Sequence, residues 1–133
     1  MRVRCISQSP TNAPTVERDP QFWPTTDYRV EIGEEYFVAS IWVLSSSVGP
    51  GWGPGAVLEI LSEIGRLDTV PLSMFEIVDG KLPSEWELRV ISADTALIAP
   101  PLLFTEYFHD RLSDGEPSAI REFNALILQM ERE

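Results

Sequence analysis

Histidine, cysteine and lysine are nearly missing from this chain, which has one of each: His109, Cys5 and Lys81. A lone cysteine excludes a disulfide within the chain and fits a reducing compartment. One histidine and one cysteine also leave zinc, structural or catalytic, without a ligand set. No acidic run has the spacing of a calcium loop, so no metal and no cofactor are expected. Long apolar runs are absent as well, and none approaches the roughly 18–20 residues that span a bilayer. The opening Met1-Arg2-Val3-Arg4-Cys5-Ile6 has basic residues with no apolar stretch behind them, unlike a secretory signal. The expected location is cytoplasmic.

What is abundant is acid. The formal net charge is −11 on 133 residues. Residues 1–30 hold four arginines against three acids, whereas residues 31–133 hold six basic residues against eighteen acids. An acidic body repels nucleic acid and anionic membranes and attracts basic partners. Length and an apolar fraction of 44% suit a single domain over 1–133 with a core of its own.

Arg2 to Ile6 alternates as a short strand. The stretch 7–27, with Pro10, Pro14, Pro20 and Pro24, is a loop because proline lacks an N–H and fixes φ. Phe22-Trp23 is expected to pin it to the body. The β body is expected over 28–99. Tyr28 to Ile32 alternates, and Gly33 marks a turn. In Glu35 to Leu44, strict alternation puts Phe37, Ala39, Ile41 and Val43 on one face, and Tyr36, Val38, Trp42 and Leu44 on the other. Residues 49–55 form a Gly/Pro loop.

Residues 56–64 fit either a helical stripe or an alternating strand, and the β neighbours favour strand. Val70 to Val78 reads as one strand that turns at Asp79-Gly80, and Trp86 to Ile91 pairs with Thr95 to Ala99 as a hairpin. Two helices follow in 104–132. Thr105 is placed to cap the first, and Pro117 opens the second, whose stripe is Ile120, Phe123, Ile127 and Met130. The expected fold is α+β: a strongly bent antiparallel sheet or small β-barrel followed by two C-terminal helices.

The loop at 49–55 lacks the Lys and Ser/Thr of a phosphate cradle, but its Trp52, between glycines, has the composition of an interface anchor. His109, in Glu106-Tyr107-Phe108-His109-Asp110, can be a general base. No Ser or Cys nucleophile can be tied to it, so a half-buried histidine paired with a carboxylate is the better reading, and no catalytic residue is expected. Glu34-Glu35 and Glu59 with Glu63 could be carboxylate pairs of the glycosidase kind, although acids on strand outer faces are usually just solvated. Their accumulation with no basic residue between Arg29 and Arg66 marks Trp52, Glu34, Glu35, Glu59 and Glu63 as partner-binding residues.

Pro71-Leu72-Ser73-Met74-Phe75-Glu76-Ile77-Val78-Asp79-Gly80-Lys81-Leu82-Pro83-Ser84 with Trp86, and Glu106 to Asp110 with the Asp114-Gly115-Glu116-Pro117 break, resemble segments of small acidic uncharacterised bacterial proteins. In size, acidity and architecture these resemble immunity proteins of polymorphic toxin systems. The resemblance implies a cytoplasmic bacterial inhibitor that covers a basic toxin domain, such as a nuclease, with carboxylates. It carries over no functional residue. One alternative is a small β-barrel enzyme or ligand-binding module with an acidic pocket lined by Trp42 or Trp86. Another is a structural or regulatory subunit of a larger complex, for which a large exposed apolar patch is the sign.

Overall fold

The computed structural model describes residues 1–8, 28–45, 54–62 and 65–133. The expectations for the proline-rich stretch and Phe22-Trp23, and those for Trp52 and Glu63, fall outside these residues. Seven strands form one antiparallel sheet: β1 (Arg2–Cys5), β2 (Glu35–Leu44), β3 (Gly55–Leu61), β4 (Leu67–Pro71), β5 (Phe75–Asp79), β6 (Glu87–Ser92) and β7 (Thr95–Ala99). Helices α1 (Phe108–Ser113) and α2 (Pro117–Glu131) follow. The fold is α+β with a bent, open sheet, so the closed-barrel alternative does not occur.

The ten-residue β2 organises the sheet. β3 runs along one of its edges. The other edge is shared, with β1 on Tyr36 and Phe37 and β7 on Ile41 to Leu44. Alternation along β2 feeds two cores. Tyr36 and Val38 pack with Val3, Leu58, Ile60, Val70, Met74 and Phe75, while Phe37 and Ala39 pack with Leu97, Leu103, Phe108, Phe123 and Ile127 beneath the helices. Burying both faces of a strand produces its near-continuous apolar text.

Strict alternation fails at Ala39. Against β3, Val38 opposes Ile60 but Ser40 opposes Glu59, so one extra residue is inserted in β2. A bulge of this kind swaps the faces of everything after it. Ile41 therefore joins Tyr36 and Val38, and Trp42 joins Phe37 on the helix side, the reverse of the expected assignment.

Other expectations are corrected. Residues 28–32 form no strand: Val30 is buried alone, its N–H bonded to the Tyr28 carbonyl, and the chain turns at Gly33 with φ +92°. Val70 to Val78 is two strands, split by a 3-10 turn at Leu72–Met74 that buries Met74. Thr105 does not cap α1. The residue before that helix is Tyr107, with φ 63°, and no side chain caps it. In α2 the buried stripe is Ala119, Phe123, Ile127 and Met130, and Ile120 is exposed. Pro117 does stand in the first turn of α2, 56–64 does contain a strand, and the β6–β7 hairpin forms as read.

Candidate functional site

The bulge in β2 turns Ser40 toward the helix side, directly across from Glu59 of β3. Alternation in β3 points Val57, Glu59 and Leu61 to that same side, while Leu58 and Ile60 go to the opposite core. A glutamate in an apolar strand is thus driven under the helices, where its charge needs donors. It has them. Glu59 Oε1 accepts from Ser40 Oγ at 2.5 Å and from Trp42 Nε1 at 3.0 Å. The third donor comes from α1: His109 Nε2 donates to the carboxylate, 3.0 Å from Oε2 and 3.2 Å from Oε1.

Glu59 is only 4% exposed. Burial pushes its carboxyl up, but the His109 hydrogen bond and charge, with the Ser40 and Trp42 hydrogen bonds, more than offset this and leave it below the ordinary carboxylate value. His109 moves the other way. The hydrogen bond to Glu59 raises it, burial opposes, and the charges of Glu59 and Asp110 raise it further. Both shifts favour carboxylate with imidazolium. The structure resolves His109 as half-buried and paired with a carboxylate, but the carboxylate lies fifty residues away rather than beside it.

Beside the pair lies an open cleft of about 460 Å³, lined by Trp42, Leu44, Val57, Glu59, Thr69, Thr95 and His109. Its walls come from β2, β3, β4 and β7, with His109 supplied by α1. Its size is that of a small-molecule site. His109 Nδ1 makes no hydrogen bond among the described residues, and its side chain is 39% exposed. With the imidazole aligned by Glu59, Nδ1 can exchange a proton with a bound group. Ser40 is fully buried and already spent on Glu59, which removes it as a nucleophile. Trp86 does not line this cleft, and its Nε1 donates to Met130 Sδ at 3.1 Å.

Of the residues expected to bind a partner, Glu34, Glu35 and Glu59 are among the described residues, and these do not form one exposed patch. Glu34 and Glu35 are exposed, and Glu35 faces Arg4 at 3.6 Å. Glu59 is not on a solvated outer face, because the strand's alternation carries it under the helices. Cys5 is buried in β1, where desolvation pushes its thiol up despite a contact with the Ser7 carbonyl. Sequence reasoning missed the union of Ser40, Trp42, Glu59 and His109. The available signal was polar residues in two otherwise apolar strands, Ala39-Ser40-Ile41 and Leu58-Glu59-Ile60.

Acids left over from pairing are spread around the surface. Arginines at 2, 4, 66, 89 and 111 each face an acid. Glu31, Glu34, Glu85, Glu106 and Asp114 are exposed without an ion-pair partner among the described residues. No helix among the described residues is long and apolar enough to cross a membrane. Compared with protein-family models, curated proteins and solved structures, the chain has no match.

Proposed function

We propose that this chain is a cytoplasmic binding protein of the immunity type, which neutralises a basic protein such as a nucleolytic toxin domain. The observation that carries the reading is the uncompensated acid. Most described arginines are already engaged with carboxylates of their own, so the excess negative charge of Glu31, Glu34, Glu85, Glu106 and Asp114 faces solvent. Such a field steers a cationic partner and rejects anionic ones. Nuclease clefts are basic because they must attract phosphate, so a carboxylate surface competes with their substrate. Glu59 has no part in this contact, and Glu31 and Glu34 take its place. The test is to identify the protein encoded next to this chain, which the reading expects to be basic and toxic, and to coexpress the two. The reading expects a stable complex and relief of toxicity, and a neighbour that is acidic or remains unbound and toxic removes its basis.

A second reading rests on the cleft. An oriented imidazole at the end of an apolar trough formed by Trp42, Leu44 and Val57 suits a small apolar molecule with one polar end, as in a ligand-binding module or a small enzyme. Titration with p-cresol and with toluene, followed at the Trp42 indole N–H by NMR, separates the two readings. A response that needs the hydroxyl and is lost in His109→Phe favours the ligand site. Equal or absent responses leave the cleft without this role.

A further inference from the structure

Every residue of β6 is exposed, and among the described residues the strand pairs with β7 alone. No described residue pairs with the backbone N–H and C=O groups of its outer edge. Natural edges are commonly guarded by charged side chains, proline, a bulge or a covering element. Glu87 to Val90 has no proline, and its two charges, Glu87 and Arg89, are of opposite sign and so do not repel a second copy in every register. The register shift of the hairpin comes only between Val90 and Ser92. The face beside this edge is apolar. Registers align Val43, Ala96 and Val90 in one row and Ile41, Ile98 and Leu88 in the next. Leu88 is 65% and Val90 79% exposed.

We propose that β6 is a self-association edge, on which two copies of this chain pair antiparallel about a two-fold axis at Leu88. Side-chain order selects the occupant and the register. Residues directly opposite across an antiparallel pair must share a sheet face, which leaves axes through single residues. An axis at Glu87 sets Glu against Glu, one at Arg89 sets Arg against Arg, and one at Val90 gives Glu87 no cation. Only the axis at Leu88 places Glu87 opposite Arg89 of the second copy, twice. Arg89 stacks 4.3 Å from the Phe104 ring centre and donates to Glu87 of its own strand at 2.7 Å. The same axis sets Leu88 opposite Leu88 of the second copy and Val90 opposite its Trp86, so apolar residues meet across the seam. A symmetric contact of this kind closes on itself rather than growing into a fibre.

This pairing is independent of the basic-partner reading, and its salt response has the opposite sign. Two copies of net charge −11 repel, so screening strengthens their association while it weakens capture of a cation. Sedimentation equilibrium of the whole chain across protein concentration, at about 0.1 M and about 1 M salt, reads it directly. The expected result is a monomer–dimer equilibrium that shifts toward dimer in high salt. Glu87→Arg sets arginines against arginines and weakens association on the order of tenfold. Adding Arg89→Glu to it restores the opposite pairs and recovers association to within about threefold. A monomer at every concentration and salt overturns the proposal. So does dimerisation indifferent to Glu87→Arg, or a double variant no better than the single one.

Discussion

Glu59 and His109 are separated by fifty residues of chain and joined by a 3.0 Å hydrogen bond between Oε2 and Nε2. That bond ties α1 to the middle of the sheet and sets one wall of the cleft. Its strength depends on the bulge at Ala39, which brings Ser40 and Trp42 to the same carboxylate. Removing the acid strands three donors at once. Glu59→Ala is expected to cost about 3 kcal/mol in urea unfolding, as for breaking a buried charged network. His109→Ala removes a partner that is partly solvated and should cost less, about 1–2 kcal/mol. Equal, negligible losses contradict the network.

The same pair gives stability a pH dependence with two arms. The folded His109 value is raised above 6.5, so its contribution is complete below that pH and lost as pH rises through the folded value. The folded Glu59 value lies below 4.5, so its contribution is complete above that pH and lost as pH falls through the folded value. Stability from the pair is greatest between about 4.5 and 6.5. Urea melts from acid to alkaline pH should show the alkaline decline in the native chain and not in His109→Gln. An identical decline in both assigns it to other groups.

Phe123 is 1% exposed in the core beneath α2. Phe123→Ala should cost about 3–5 kcal/mol, the range for truncating a buried aromatic. A loss below about 1 kcal/mol would mean that α2 does not pack as described.

Tyr107 enters α1 in the left-handed region, at φ 63°, with an exposed ring. That conformation costs a non-glycine residue about 1–2 kcal/mol. Tyr107→Gly relieves the strain but adds freedom to the unfolded chain. The net expectation is stabilisation of up to about 1 kcal/mol by thermal or urea melts. Destabilisation would show that the ring contributes more than the backbone strain costs.

The β6–β7 hairpin and α2 are legible because each has one period of its own: alternation in β6 and β7, three- and four-residue spacing in α2. The text of β3 fits either period and is read as strand from its neighbours. What was illegible was a change of phase. A single inserted residue at Ala39 reverses the faces of Ile41 and Trp42, and no local composition marks it. Tyr28 to Ile32 alternates but joins no strand of the sheet among the described residues, and alternation outside a ladder does not make a strand. The candidate site failed for a related reason. Glu59 and His109 belong to elements brought together only by tertiary packing, so each looked ordinary alone. Ile120 was misplaced because small Ala119 fills the close helix–sheet contact, a position that a search for large apolar residues overlooks.

The central claim is that uncompensated surface acid recruits a basic protein. Association kinetics of the purified chain with the protein it captures in a pull-down from its native host, expected to be basic, from about 0.1 M to about 1 M salt, test it most directly. The account predicts an on-rate that falls steeply as the Debye length shrinks from about 10 Å to about 3 Å, while the off-rate changes little. Charge reversal at Glu31 and Glu34 should reproduce much of that fall at low salt. An on-rate independent of salt, or unchanged by those reversals and by reversals at Glu85, Glu106 and Asp114, would contradict it.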